Sequence, residues 1–276
     1  MSSLSKLDLR AVALLVGLSV VGGLAGWIYS SIADPVYQSS VLLMPEVDET
    51  ANSGAGLNSG LSSIASLAGV SVGGEDRLRV EALATLRSRS FQMGFVRSEN
   101  IAPHLFSDLW DSQARAWRND EPSEDDIFKV FSEDVVKVRE DSGDGLVTLS
   151  VLWHDSELAA TWANGLADEL NNVMRGRARE LAKASIEYLE RELNRTSNSA
   201  VQQAIGVLLE KQITNIMMAN VRPQYAFRVI DPAVPSSIDN PAFPKPVLVT
   251  LAGFAFGLML GAGLVAARML SAQPRP

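Results

Sequence analysis

The chain has no cysteine and only two histidines, His104 and His154, among 276 residues. Without cysteine there is neither a disulfide framework nor thiolate chemistry. With no His-x-x-x-His or Glu-x-x-His spacing either, a zinc site has no ligand set to draw on. No Gly-x-Ser-x-Gly elbow occurs, and no glycine-rich loop ends in Gly-Lys-Ser or Gly-Lys-Thr. Aromatic residues make up 7% of the chain, and 24 lysines and arginines are outnumbered by 32 aspartates and glutamates. That excess of negative charge disfavours nucleic acid as a partner. The expectation is a protein that is not an enzyme and takes no cofactor and no metal.

What is present in abundance is hydrophobic sequence at two places. Residues 11–32 and 246–267 contain no charged side chain. A helix of that length spans about 33 Å at 1.5 Å per residue, enough for a bilayer core of ~30 Å. Lys6 and Arg10 precede the first run, and Arg268 and Arg275 follow the second. The positive-inside rule then places residues 1–10 and 268–276 in the cytoplasm and residues 33–245 outside, in the periplasm of a bacterial inner membrane. The first run exceeds a signal-peptide core in length, and Ser30-Ser31-Ile32-Ala33 is a poor cleavage site, so it reads as an uncleaved anchor. Setting aside Lys6, Asp8, Arg10, Lys245, Arg268 and Arg275 leaves 19 basic and 31 acidic residues, a net charge of −12, on the segment between.

That segment mixes two periodicities. Tyr37–Pro45 is rich in β-formers and reads as a strand. Residues 52–74 are dominated by Gly, Ser and Ala and read as a loop with a short helix over 61–67. The spacing of Leu78, Leu83, Leu86, Phe91 and Phe95 predicts one amphipathic helix over 76–97, with shorter helical pieces over 105–117 and 124–131. Residues 135–139 and 146–152 flank the turn Asp141-Ser142-Gly143-Asp144-Gly145 and predict a hairpin. A last strand over 225–230 ends at Asp231-Pro232. From Asp155, an expected N-cap, Leu158, Trp162, Leu166, Leu170 and Val173 begin a helix running to about Arg195. After the polar break Thr196-Ser197-Asn198-Ser199, a second helix places Val201, Ile205, Leu208, Gln212, Ile213 and Ile216 on one face. The fold expected is thus membrane-anchored α+β. Two transmembrane helices flank a domain with a small β-sheet and a long projecting helical hairpin (155–220), whose apolar stripe asks for a second copy of the chain.

Two charged clusters have ordinary explanations. Arg175, Arg177, Arg179 and Lys183 are followed by Glu180, Glu187 and Glu190, so a solvated helix face is favoured over a contact with an acidic glycan. Glu121, Glu124, Asp125 and Asp126 lack the glycine and terminal glutamate of a calcium loop and suit the start of a helix.

The most informative motif lies at the second membrane entry. Asp231-Pro232-Ala233-Val234-Pro235 and Asn240-Pro241-Ala242-Phe243-Pro244-Lys245-Pro246 make a stiff extended strut, because proline fixes φ and removes a donor. Pro246 then suits the first turn of the span. Gly253, Gly257 and Gly261 follow at four-residue spacing, and Gly22 and Gly26 offer a matching small face on the first span. Pro241, Pro244, Pro246 and these five glycines are the candidate residues for helix packing and partner contact.

These residues resemble the Wzz, or polysaccharide co-polymerase, family of bacterial chain-length determinants. The likeness covers Tyr37–Pro45, the small-residue stretch 61–74 with Leu67-Ala68-Gly69, and Leu158-Ala159-Ala160-Thr161-Trp162-Ala163-Asn164. It continues through Tyr225-Ala226-Phe227-Arg228-Val229-Ile230-Asp231-Pro232-Ala233-Val234-Pro235 and the proline-rich entry to the second span. The chain departs at Pro244-Lys245-Pro246, where many relatives have a basic pair after the proline. The resemblance implies an inner-membrane protein that assembles into a homo-oligomeric ring. It also implies regulation of the length of a surface polysaccharide, usually lipopolysaccharide O-antigen, with a Wzy-type polymerase, the growing lipid-linked glycan and membrane lipid as partners. Two other classes remain open at this stage. One is a periplasmic adaptor for capsule or exopolysaccharide export. The other is a receptor, for which the nine residues after the second span provide no output domain unless a separate kinase serves.

Overall fold

A computed structural model of the chain describes residues 2–46, 74–118, 120–141, 143, 145–237 and 240–271. In chain order its elements are α1 (Ser2–Ile32), β1 (Tyr37–Pro45), α2 (Gly74–Arg87), α3 (Arg89–Ser98), α4 (Ala102–Leu105), β2 (Trp110–Asp111), β3 (Ala116–Trp117) and α5 (Glu124–Val130). One π turn, Phe131–Val135, leads into β4 (Val136–Glu140), β5 (Val147–Trp153), α6 (Ser156–Arg195), α7 (Ser199–Val221), β6 (Phe227–Asp231) and α8 (Pro246–Ser271). The short helix expected over 61–67 lies outside the described residues.

The chain divides into two units. The first comprises Met1–Gln38, Trp153–Ser156 and Ser236–Pro276. Its body is the pair α1 and α8, each long and apolar enough to cross a membrane over Val12–Ile32 and Pro246–Val265, with mean hydropathy 2.0 and 2.1. Val21, Ile32 and Met259 are 62%, 77% and 75% exposed. Such a surface is costly in water and suited to lipid. Helix α1 stops one residue short of Asp34-Pro35, because the residue before proline avoids the helical region. Helix α8 begins on Pro246, a position where proline loses no hydrogen bond.

The second unit comprises Ser39–Leu152 and Glu157–Pro235. Its sheet has the order β4-β5-β1-β6. Strand β1 alternates buried Tyr37, Ser39, Val41 and Leu43 with more exposed neighbours, the period-two pattern of a strand with one face in the core. It pairs antiparallel with β6 through Leu43↔Val229 and Pro45↔Phe227, with a bulge between Leu42 and Leu43. The first and last strands therefore do meet in one sheet. The expected hairpin is β4-β5, in register from Val136↔Val151 to Glu140↔Val147. Its turn closes through Asp141, whose N–H donates to the Leu146 carbonyl (2.9 Å) and whose Oδ1 accepts from Gly143 N (2.8 Å), with Gly145 at φ +69°.

Helix α6 organises the core. Gly165 gives the Phe95 ring of α3 room, since a Cβ there would lie 3.2 Å from it. His104 in α4 sits edge-on to Trp162 at 5.9 Å, and Arg177 reaches Thr85 Oγ1 in α2 at 2.8 Å. Phe131, Phe227, Leu43, Leu86, Leu166 and Leu170 are all fully buried.

Two expectations are corrected. The helix predicted over 76–97 is two helices, broken at Ser88. That residue is extended (φ −72°, ψ 142°) and its Oγ accepts from Phe91 N, capping α3. A serine that can serve as an N-cap competes with continuing the helix. The helical piece predicted over 105–117 is instead α4 followed by the β2-β3 hairpin. Asp111 Oδ1 accepts from Gln113 N (2.9 Å) and Ala114 N (3.0 Å), and Arg115 takes φ +50°. This Asx turn reverses the chain and brings Trp110 against Trp117, a pairing with no signature in helical periodicity.

Candidate functional site

The glycines form a seam between α1 and α8. A Cβ on Gly22 would collide with the carbonyl oxygen of Gly253 and lie 3.3 Å from Gly257 Cα. One on Gly26 would lie 2.7 Å from the Val249 carbonyl oxygen. A Cβ on Gly257 would strike the Leu18 carbonyl oxygen and lie 2.9 Å from Ser19 Cα, and one on Gly261 would lie 3.0 Å from Leu15 Cδ2. Helix backbones approach this closely only where the side chain is a hydrogen atom. Gly17 and Gly263, off the seam, face open space. Ser19, buried beside the seam, donates its hydroxyl to the Leu15 carbonyl (2.6 Å), which satisfies it without water. The small-residue face of α8 is covered by the chain's own first helix.

The proline strut is tied at its lower end. Val36 donates its N–H to the Phe243 carbonyl (2.8 Å), and Ala242 N and Phe243 N both donate to the Val36 carbonyl at 2.8 and 3.2 Å. Pro241 and Pro244 flank this bridge, the Phe243–Pro244 bond being cis. His154 Nδ1 donates to the Pro35 carbonyl at 3.1 Å, and its ring packs on Trp153 at 5.5 Å. The β5–α6 turn thus joins the same cluster as the two membrane entries.

Within the second unit, two asparagines seven residues apart on α6 hold the last strand and the residues after it. The Asn171 side chain accepts from Ala226 N (2.8 Å) and Phe227 N (2.9 Å) and donates to the Phe227 carbonyl (2.9 Å). Asn164 does the same for Ala233, accepting from its N–H and donating to its carbonyl, both at 2.9 Å. Gln224 Oε1 accepts from Val229 N at 3.3 Å. Side-chain amides occupy the outer edge of β6, which closes that edge to another strand. The sequence reading missed this role. Its only signal was a pair of amides at i and i+7 within a face otherwise built from Ala163, Leu166, Ala167 and Leu170.

Some members of the two charged clusters make ordinary contacts. Glu124 pairs with Arg97 and Asp125 with Arg89, whose guanidinium also lies 5.6 Å from the centre of the Phe128 ring. Ser123 caps α5, accepting from Asp126 N (3.2 Å) while donating to Asp126 Oδ2 (2.6 Å). Among the basic residues, Arg175 donates to Asn172 Oδ1 at 2.8 Å, and Arg177 serves the contact to Thr85 described above. Asp111 is the carboxyl outside the membrane helices held below its ordinary range, by the backbone N–H of Ala114 and then of Gln113. Among the described residues no group of three or more His, Asp or Glu is placed to hold a metal ion.

The hairpin α6–α7 carries the remaining candidate surface. Asn198 caps α7, its Oδ1 accepting from Ala200 N (3.0 Å) and Val201 N (3.4 Å). The last buried residue of α6 is Ala182, thirteen residues before its end, and α7 buries only Ile205 and Ala219. Of the stripe expected on α7, Val201, Leu208 and Ile213 are 44%, 48% and 49% exposed. A groove of about 440 Å³ runs between Ala184, Ser185, Tyr188, Leu189, Leu208 and Gln212.

No protein-family model matches the chain, and no curated protein does. Solved structures similar to it include a full-length bacterial polysaccharide co-polymerase, at 14% identity over 100% of both chains with a TM-score of 0.39. A fragment of WzzB, a polysaccharide co-polymerase from Salmonella Typhimurium, is 12% identical over 76% of this chain and 100% of that one, with a TM-score of 0.30. A mutant of the Shigella flexneri lipopolysaccharide O-antigen chain-length regulator is 12% identical over the same shares, with a TM-score of 0.22.

Proposed function

We propose that the chain is a non-enzymatic regulator of surface-polysaccharide length. It sits in a bacterial inner membrane with both termini in the cytoplasm and its α+β unit in the periplasm, and it acts as a homo-oligomeric scaffold on a Wzy-type polymerase, with O-antigen as the favoured polymer. The observation that carries the reading is the meeting of Asn164 with Ala233. The two stretches that bear the family resemblance, 158–164 and 225–235, lie 69 residues apart at these positions and touch through a paired amide. Residues that serve one shared contact make a more specific likeness than two separate strings. Assembly is supported by the unburied apolar surface of the hairpin, where Leu181, Val207 and Met217 are 71%, 63% and 60% exposed. Apolar area left in water forgoes roughly 25 cal/mol per Å², and a second copy of the same hairpin offers matching area.

Deleting the gene and separating the lipopolysaccharide by electrophoresis tests the function. The expected result is polymer still present with its preferred length lost. Complementation by Leu208→Asp, which places a charge in the hairpin groove, is expected to leave the ladder as broad as in the deletion strain and the extracted particle smaller. An unaltered ladder in the deletion strain removes the proposal, and complete loss of polymer favours an export adaptor. Orientation has its own check. Protease added to spheroplasts should cut between residues 34 and 244, and protection of that stretch would reverse the topology.

A further inference from the structure

We infer that the cleft between α3, the β2-β3 hairpin and the start of α5 binds a short stretch of uncharged sugar. The cleft has a volume of about 490 Å³, within the range of small-molecule sites. Its floor is apolar and fixed, Met93, Val96 and Ile127 being 4%, 2% and 5% exposed. One wall carries Trp110 and Trp117, packed edge to face with ring centres 4.9 Å apart. Around these lie Arg97, Asn100, Glu121 and Glu124. Indole rings offer a flat apolar surface with a polar N–H, the counterpart of a pyranose ring with its C–H face and hydroxyl rim. Carboxylate, amide and guanidinium groups supply the acceptors and donors that hydroxyls require.

The wall is held for its position. A hairpin of two-residue strands is marginal by itself, yet this one is fixed by the Asx turn at Asp111 and by Arg118 N donating to the Leu109 carbonyl at 2.8 Å. The opposite rim is set by Asn100, whose φ of +51° turns the chain out of α3 so that Ile101 is fully buried and Asn100 stays exposed at the cleft. Asparagine tolerates this left-handed region better than most residues. Charge narrows the ligand. Arg97 is balanced by Glu124, and Glu121 adds a negative charge. A phosphate or a uronate would be repelled, whereas a neutral sugar would not. The choice of sugar over other ligands that mix aromatic and polar contacts rests on the function proposed above.

The test uses the full chain in nanodiscs and saturation-transfer NMR with maltotriose, triacetylchitotriose and trigalacturonate as probes. Saturable transfer to at least one neutral trisaccharide is expected, with trigalacturonate bound at least about tenfold more weakly, a difference of 1.4 kcal/mol. Trp117→Ala should abolish the transfer. Asn100→Gly keeps the left-handed backbone and removes the amide, so it should weaken binding severalfold without unfolding the site. If Trp117→Ala lowers the melting temperature, Asn100→Gly alone decides. Absence of saturable transfer from either neutral probe overturns the inference, as does transfer that Asn100→Gly leaves unchanged. The measurement needs no polysaccharide phenotype. A regulator that controls length without binding sugar here, and a sugar-binding protein that controls no length, therefore give different results.

Discussion

Gly257→Leu is expected to separate α1 from α8 and broaden the polysaccharide length distribution, while the protein is still made and inserted. The first Cβ of any side chain at position 257 meets the Leu18 carbonyl oxygen and Ser19 Cα, which are backbone and cannot swing away. Overpacking a tight site costs about 1–3 kcal/mol even where neighbours can adjust, and here relief requires moving a whole helix. Insertion should survive, because leucine is favoured in a membrane span. The absence of native cysteine makes the separation easy to measure. A Cβ added at Gly261 would lie 3.2 Å from the Leu15 Cα, so Leu15→Cys combined with Gly261→Cys should cross-link readily in the otherwise unaltered chain. Adding Gly257→Leu should lower the cross-linking yield about tenfold, the ratio that 1.4 kcal/mol implies. Gly263→Leu, at a position facing open space, is the control and should change neither yield nor ladder. An intact cross-link together with an unchanged ladder in Gly257→Leu would show that the seam does not govern function.

Much of this architecture was legible because its signals are local. Two uncharged runs mark two helices long and apolar enough to cross a membrane. Period-two burial in Tyr37–Pro45 and the aspartate- and glycine-bearing turn before β5 mark strands with their own chemistry. Asn198 likewise marks the start of α7 within a residue of the expected place. What was not legible depends on partners far away in sequence. Ser88 lies inside a run of good helical spacing, and its capping role shows only once Phe91 has a core to enter. Trp110 and Trp117 look like helix-face aromatics until the Asx turn at Asp111 folds them together. The seam was half visible. Glycine at four-residue spacing announces close packing, but the spacing alone does not say against what, and the answer is the other end of the same chain.

The amide clamp offers the other large effect. Asn171 is 2% exposed, and it satisfies three backbone groups of the last strand at once. Asn171→Ala should strand Ala226 N, Phe227 N and the Phe227 carbonyl in a buried place, each at a cost of about 1–3 kcal/mol. Water entering the gap would recover part of that, so a net loss of about 3–5 kcal/mol is expected, at the upper end for a single substitution. For a unit of this size each kcal/mol moves the melting temperature by about 2–4 °C, giving a drop on the order of 10 °C by circular dichroism. Asn164→Ala, partly buried and with two bonds to lose, should do less. Asn171→Asp separates hydrogen bonding from packing. The carboxylate can still accept from both N–H groups but faces the Phe227 carbonyl without a donor. The variant should therefore melt below the parent at neutral pH, since the Phe227 carbonyl has lost its donor in a buried place. A melting temperature within about 1 °C of the parent in both Asn171→Ala and Asn171→Asp would mean that β6 is held by the sheet alone.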